Sequence, residues 1–282
     1  MKKGLVLEGG AMRGMFTCGV IDVLMENNID FDGIIGVSAG AAFGCNYKSK
    51  QIGRGIRYNV RFCNDKRYCS LYSLITTGDL YGADFCYKVV PTQYDIFDND
   101  TFYNNPMGFI AVCTDVETGK PYYKHFVEPE ENMFEWFRAS ASLPLVSRIV
   151  EIGGMKLLDG GITDSIPLKY HEEIGYDKNV VVLTQPEAYR KSENKLMPLI
   201  KLTLKKYPKL IEALKNRHIM YNNTLEYIKQ RESEGKILVI RPENDLGIKR
   251  VEKNPENLKK VYETGRKIAQ SRIDEIKKYL EK

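Results

Sequence analysis

Histidine is scarce in this chain: three residues in 282, His125, His171 and His218. A mechanism built on an imidazole base, or a metal centre built on imidazole nitrogens, has only these three to draw on. None of the six cysteines (Cys18, Cys45, Cys63, Cys69, Cys86, Cys113) stands in a C-x-x-C pair, which excludes the usual zinc and thioredoxin-type spacings. They are scattered through apolar stretches, as reduced core cysteines are. Only Cys63 and Cys69 are placed to bridge, and only in an oxidising compartment. An EF-hand loop and an H-E-x-x-H sequence are both missing. The acidic run Tyr94–Asp100 lacks the glycine and terminal glutamate of a calcium loop and reads as a solvated segment. No metal and no cofactor are expected. No apolar run approaches the roughly 20 residues of a membrane span. The three apolar residues Leu5–Leu7 are too few for the core of a signal peptide. A soluble, cytoplasmic protein is the expectation. Repeats and low-complexity segments are also lacking, which excludes solenoid and disordered architectures.

What is present is ordinary globular material, 43% hydrophobic and 28% charged, in a chain long enough to bury a large core. Length alone allows two domains or one large α/β domain. The net charge of +5 hides an uneven distribution. Residues 1–189 carry 18 Lys and Arg against 24 Asp and Glu; residues 190–282 carry 24 against 13. Short apolar runs that stop at glycine or turn residues read as buried strands at 4–7, 33–37, 109–113, 180–183 and 237–240. Two hairpins are expected, one turning at 115–119 and one at Gly153-Gly154. Helices are expected at 14–25, from 39, at 132–142, at 193–215, at 217–233 and at 255–280. Residues 50–106 read as short helices and loops. Strands alternating with helices predict a three-layer α/β/α architecture with a mostly parallel sheet. One α/β unit over 1–282 is expected, with the basic helices as a crossover inside it rather than a second domain.

Three local patterns carry chemistry. Gly36-Val37-Ser38-Ala39-Gly40 matches G-x-S-x-G, a strand-to-helix elbow that projects a serine above the sheet beside a helix N-terminus. The plain alternative is a serine capping an ordinary helix. Glu8-Gly9-Gly10-Ala11-Met12-Arg13-Gly14 also follows a strand and opens a helix. Consecutive glycines let backbone N–H groups converge on one point, as stabilising an oxyanion requires. The same loop admits a dinucleotide reading, with Asp30 or Asp32 as the acidic partner. The nearby G-x-S-x-G weighs against a nucleotide. Leu157-Leu158-Asp159-Gly160-Gly161 runs a strand into an aspartate and two glycines, either a carboxylate at a site or a simple Asp-Gly turn.

Taken together, these patterns resemble the patatin-like phospholipases of the bacterial branch. The resemblance covers residues 4–185. It includes Ala139-Ser140-Ala141-Ser142-Leu143-Pro144, similar to the family's A-S-x-x-x-P block, and Thr114–Gly119. Glu8 stands where plant members have Asp, and Ala11 where the third glycine falls. The resemblance implies a patatin-like fold and hydrolysis of lipid acyl esters by a Ser–Asp dyad. Ser38 would be the nucleophile and Asp159 the base. Gly9, Gly10, Ala11, Met12, Arg13 and Gly14 would form the oxyanion and substrate-binding loop, with the N–H groups of Gly10 and Ala11 on the oxyanion. Gly36 and Gly40 would shape the elbow, and Gly160 and Gly161 the turn after the base. If Ala11 must adopt positive φ, it carries about 1 kcal/mol of strain. A triad in the order Ser, Asp, His would need His171 or His218, and each reads better as a structural residue. A nucleotide-binding protein and a non-catalytic regulator of the same fold remain alternatives.

Residues 195–217 place leucines and isoleucines at helical spacing with lysines between them, an amphipathic pattern interrupted by Pro198 and Pro208. The apolar face can pack on the sheet and leave the lysines in solvent. It can also meet an anionic membrane surface peripherally, as a lid over the site. No nucleic-acid-binding module is recognisable, and no nucleic acid partner is expected. Oligomeric state is not legible.

Overall fold

A computed structural model describes residues 1–281. Alternation along the strands sets its layering. In β1 (Lys2–Leu7) Leu5 and Leu7 turn to one face of the sheet and Val6 to the other. The same two-residue period recurs in β2 (Gly33–Val37), β3 (Gly108–Asp115), β7 (Tyr176–Val182) and β8 (Ile237–Ile240). Each strand is therefore apolar on both faces and must be covered twice. One face receives α1 (Gly14–Glu26), α2 (Ala39–Lys48), α3 (Arg54–Phe62), α6 (Met133–Ser140), α10 (Pro255–Ser271) and α11 (Ile273–Glu281). The other receives α7 (Leu168–Glu173) and α9 (Pro208–Ser233). Between α3 and β3 lie α4 (Leu71–Thr77), a π-helix at Phe85–Tyr94 and α5 (Asn99–Asn104). Between β7 and α9 lies α8 (Met197–Thr203). The strands β4 (Lys120–His125), β5 (Val150–Ile152) and β6 (Met155–Asp159) complete an eight-stranded sheet.

The sheet order is β5-β6-β3-β2-β1-β7-β8, with β4 paired to β3 outside this path. The pairs joining β3, β2, β1, β7 and β8 are parallel; β4, β5 and β6 run antiparallel to their neighbours. This is the expected three-layer arrangement with a mostly parallel sheet. β8 pairs with β7 in the same sheet, so the basic helices α8 and α9 form the crossover between them. α10 crosses α1 at paired glycines. A Cβ on Gly19 would lie 2.1 Å from the Tyr262 carbonyl oxygen, and one on Gly265 would lie 2.1 Å from that of Phe16. Only hydrogen side chains permit this backbone approach.

Two helix boundaries differ from the sequence expectation. The basic pattern does not divide near residue 216; it breaks at 204–207, and Pro208 opens a continuous 26-residue helix. Pro198 and Pro208 both sit in first turns, where a missing N–H costs nothing and φ is already set. They start helices rather than kink one. The closing helix is interrupted at Arg272, whose guanidinium donates to the Val239 carbonyl of β8. No helix among the described residues is long and apolar enough to cross a membrane. All six cysteines, Cys63 and Cys69 included, are free thiols.

Candidate active site

One edge of β3 serves two partners in succession. Its residues Gly108–Val112 pair with β2 in parallel; Cys113–Asp115 then pair with β6, which arrives from the opposite direction. β4 occupies the other edge over Ile110–Asp115. Val37 is thus opposite Val112, and Asp159 is opposite Cys113, the next residue along. Ser38, which follows Val37, and Asp159 are brought together at the point where the two strands meet.

The junction is spliced by Ser140 at the end of α6. Its buried Oγ accepts from the Ser38 N–H at 2.9 Å and donates to the Val112 carbonyl at 2.6 Å. Ser38 itself sits at φ 55°, ψ −121°, a conformation that costs a non-glycine residue about 1–3 kcal/mol. The turn is tight enough that a Cβ on Gly36 would lie 2.6 Å from the Gly40 carbonyl, and one on Gly40 would lie 2.3 Å from the Leu7 oxygen. Both flanking positions of G-x-S-x-G are needed for close approach.

The glycine loop lies against this elbow. Gly9 abuts Val37 and Ser38, while Gly10 is extended at φ −177° beside Thr184. Ala11 adopts φ 50°, so the strain anticipated for a side chain there is present. Among the described residues no acceptor is hydrogen-bonded to the backbone N–H of Gly10 or Ala11. Met12 is buried in the core, and Gly14 starts α1 against the Phe43 ring. Arg13 reaches the cavity with its Nε buried and unpartnered. Glu8, 2% exposed, anchors the loop. Its carboxylate accepts from the Thr184 N–H at 2.6 Å and from the Tyr221 hydroxyl of α9 at 2.5 Å.

Asp159 is 2% exposed and accepts from the Gly161 N–H at 2.7 Å. Burial raises its pKa above the ordinary carboxylate value. The Arg217 charge, the Ser38 hydroxyl, the Gly161 N–H and the Arg250 charge oppose that rise without cancelling it. Gly160 passes over β3 so closely that a Cβ would lie 2.1 Å from the Val112 oxygen. Arg217 Nε donates to the Gly161 carbonyl and holds the turn from α9.

Ser38, Asp159, Gly161 and the loop Gly9–Arg13 line one cavity of about 270 Å³. Its apolar lining includes Phe43, Tyr58, Phe134 and Phe137 with Tyr87 and Val90 of the π-helix. Lys191, Arg217 and Arg250 give the lining its basic part. No motif announces these three or Tyr221; the only trace of them in the sequence is the positive balance beyond residue 190.

None of the three histidines lines the cavity. His171 is buried, bonds Asn179 through Nδ1 at 2.8 Å and stacks on Tyr176; burial pushes its pKa down to about 3. His125 meets the Tyr170 hydroxyl at 3.0 Å, and His218 meets the Lys215 carbonyl at 3.1 Å. The dinucleotide reading also fails on geometry. Asp30 and Asp32 precede β2, and β2 runs parallel to β1, so they lie at the opposite sheet end from the glycine loop, about 16 Å away at 3.3 Å per residue. Asp30 pairs with Lys50, and Asp32 accepts from the Lys3 N–H. In the acidic run, Asp95 pairs with Arg57, and Asp98 caps α5.

A family model described as patatin-like phospholipase matches residues 5–170, and one described as a domain of unknown function, DUF6363, matches 207–281. The chain is similar to the protein YjjU of Escherichia coli, with 31% identity over 192 residues, 64% of this chain and 52% of YjjU. It is 26% identical over 178 residues to an NTE family protein of Mycobacterium tuberculosis, covering 63% of this chain and 48% of that one. It is 29% identical over 180 residues to lysophospholipase nte1 of Aspergillus fumigatus, covering 62% of this chain and 11% of the relative. The chain thus spans about half the length of the first two relatives and far less of the third. Among solved structures, VipD from Legionella pneumophila aligns with a TM-score of 0.42 and 13% identity, over 96% of this chain and 67% of VipD. The match over residues 5–170 takes in β1, the glycine loop, the elbow and the Asp159 turn, and on that extent the chain belongs to the patatin-like phospholipase family.

Proposed function

We propose that the protein is a metal-independent serine hydrolase of lipid acyl esters, with Ser38 as nucleophile and Asp159 as base. The carrying observation is the meeting of Ser38, at positive φ, with the buried Asp159 on adjacent register positions of β3. Ser38 Oγ attacks the ester carbonyl while Asp159 takes the hydroxyl proton. The N–H groups of Gly10 and Ala11 receive the tetrahedral oxyanion. Collapse expels the alcohol, which recovers the proton from Asp159, and leaves an acyl-serine. Asp159 then activates a water that releases the fatty acid. A raised pKa suits a carboxylate that must accept a proton twice per turnover. The apolar lining takes the acyl chain. The name of the Aspergillus relative, a lysophospholipase, supports phospholipids or lysophospholipids as the substrate class.

Peripheral contact with an anionic membrane forms part of this reading. Leu71, Tyr72 and Ile75 of α4 and Leu196, Leu199 and Leu202 around α8 are exposed. The segment 143–149 connects to both regions: the Leu80 N–H, just beyond α4, donates to the Val146 carbonyl, Leu145 and Ile149 pack with Met197 and Ile200 of α8, and Leu143 and Val146 line the cavity. Exposed Lys195, Lys201 and Lys205 stand beside the leucines; each lysine near an anionic surface contributes about 1 kcal/mol.

Labelling with a fluorophosphonate probe tests the chemistry. Wild type is expected to label and to hydrolyse lysophospholipid; Ser38→Ala loses both, and Asp159→Asn loses turnover. His125→Gln and His218→Gln keep activity within about twofold. A folded histidine variant without activity refutes the dyad. Wild-type protein that neither labels nor turns over any ester would establish the non-catalytic alternative.

A further inference from the structure

The lining of the cavity carries more positive charge than the protein neutralises. Arg13, Lys191, Arg217 and Arg250 all line it. Among the described residues none of the four forms an ion pair, whereas their neighbours do: Arg190 pairs outward with Glu226 at 2.7 Å and His218 lies 3.8 Å from Glu193. Lys191 turns the other way, with its Nζ over the Tyr221 ring at 4.3 Å. Its backbone is clamped to α9 by two hydrogen bonds with Asn222, at 2.9 and 3.0 Å. Two buried carboxylates, Glu8 and Asp159, stand against these four cations, and each is held by hydrogen bonds from neutral groups, Glu8 from Thr184 and Tyr221, Asp159 from Gly161.

The crowding is felt by the groups themselves. Burial and the charges of Arg217, Arg250 and Arg13 hold the Lys191 pKa down to about 8, against the opposing pull of Glu8. Like charges gathered in a partly desolvated place cost free energy unless an anion joins them. Two polar atoms lack partners here: Nε of the same Arg13, a buried donor, and Gln185 Oε1, a buried acceptor on a residue 8% exposed. A ligand that presents an oxyanion next to a hydroxyl satisfies both.

We propose that Lys191, Arg217 and Arg250, together with Arg13, form a subsite for the phosphate of a glycerophosphate headgroup, occupied while the ester carbonyl lies at Ser38. The proposal rests on the hydrolase reading for the ester and adds the headgroup to it. Arginine and lysine recognise phosphate through charge-assisted hydrogen bonds. Three of the four cations lie outside the segment matched by the patatin-like family model, so headgroup selection belongs to the C-terminal region.

The test compares two substrates with the same acyl chain, a monoacylglycerol and a monoacylglycerol phosphate, on wild type and on Lys191→Met, Arg250→Gln and the double variant. Wild type is expected to show the lower KM for the phosphate ester. The double variant is expected to raise the ratio of phosphate-ester KM to neutral-ester KM about tenfold, with kcat for the phosphate ester within about threefold. A wild type without preference, or a double variant that raises both KM values equally, overturns the subsite. A second arm titrates glycerol 3-phosphate and inorganic phosphate into folded Ser38→Ala protein by calorimetry, and needs no turnover. Saturable binding of glycerol 3-phosphate, weakened at least tenfold by Lys191→Met with Arg250→Gln, supports the subsite even if no ester is cleaved. Inorganic phosphate bound as tightly as glycerol 3-phosphate overturns the headgroup assignment. Absence of binding in this arm overturns the subsite itself.

Discussion

Replacing Ser140 with alanine removes one hydroxyl and unmakes two hydrogen bonds. The Val112 carbonyl, fully buried, loses its donor at 2.6 Å, and the Ser38 N–H, half-buried, loses its acceptor at 2.9 Å. A buried group left unsatisfied costs about 1–3 kcal/mol. Ser38 lies where solvent can partly compensate, so the sum is about 2–3 kcal/mol. At about 2.1 cal/mol/K per residue the unfolding entropy of a chain this size is about 0.6 kcal/mol/K, which converts the loss to about 4 °C in Tm. Activity is expected to fall further than stability alone explains, because the same bonds fix the elbow. A displacement of about 1 Å at a reacting group costs about a hundredfold, so kcat should drop ten- to a hundredfold with KM within about twofold. Ser142→Ala is the control: its Oγ donates only to the Arg138 carbonyl at 2.8 Å, and a loss of about 1 kcal/mol with unchanged kcat is expected. Calorimetric unfolding and steady-state esterase kinetics read both. A Ser140→Ala protein with Tm within 1 °C and kcat within twofold of wild type would refute the splice.

Other outcomes follow from the same structure. Arg217→Gln removes the largest influence that lowers the Asp159 pKa; the acid limb of kcat/KM should move to higher pH, and a limb that stays in place denies the coupling. His171 is neutral when folded, with its pKa held at about 3, whereas the unfolded chain takes up a proton below about 6.5. The unfolded state therefore binds more protons as pH falls, and about 4 kcal/mol of stability is lost between pH 6.5 and 3. Urea titrations across that range should show a shallower pH slope for His171→Gln, and an unaltered slope would place the loss elsewhere. Ala11→Gly relieves positive φ at the cost of added freedom in the unfolded chain, so a change between zero and about 1 kcal/mol of stabilisation is expected in thermal unfolding. A loss above 1 kcal/mol contradicts it.

The readable parts of the sequence are those whose meaning is local. Apolar runs ending at Gly9-Gly10 and Ser38 mark strands that end at a site, because a buried parallel strand needs both faces apolar and its loop needs glycine. Alternatives open in the sequence close only in three dimensions. Asp30 and Asp32 keep the right spacing for a dinucleotide partner until the parallel register places them at the far end of the sheet. Pro208 reads as a kink or as a helix start, and only the break at 204–207 decides. The sharing of one β3 edge between β2 and β6 has no sequence signature, since it depends on strands more than a hundred residues apart. Ser140 lies within a recognisable block, but its two hydrogen bonds are long-range. Lys191, Arg217 and Arg250 look like any solvated lysine or arginine; the β7–β8 crossover brings the first two to the cavity and the β8–α10 connection brings the third.

The paired glycines where α10 crosses α1 bear on how the protein can be divided. α1 has twelve buried residues and carries the glycine loop at its start. Its cover over Phe16 and Gly19 comes from the last part of the chain, in the segment assigned to a different family model. A fragment cut to the patatin-like match alone would leave that helix face open to water and its loop without a fixed base. The two segments matched by different family models therefore pack directly against each other across this crossing, and a side chain at either glycine would force the two helices apart.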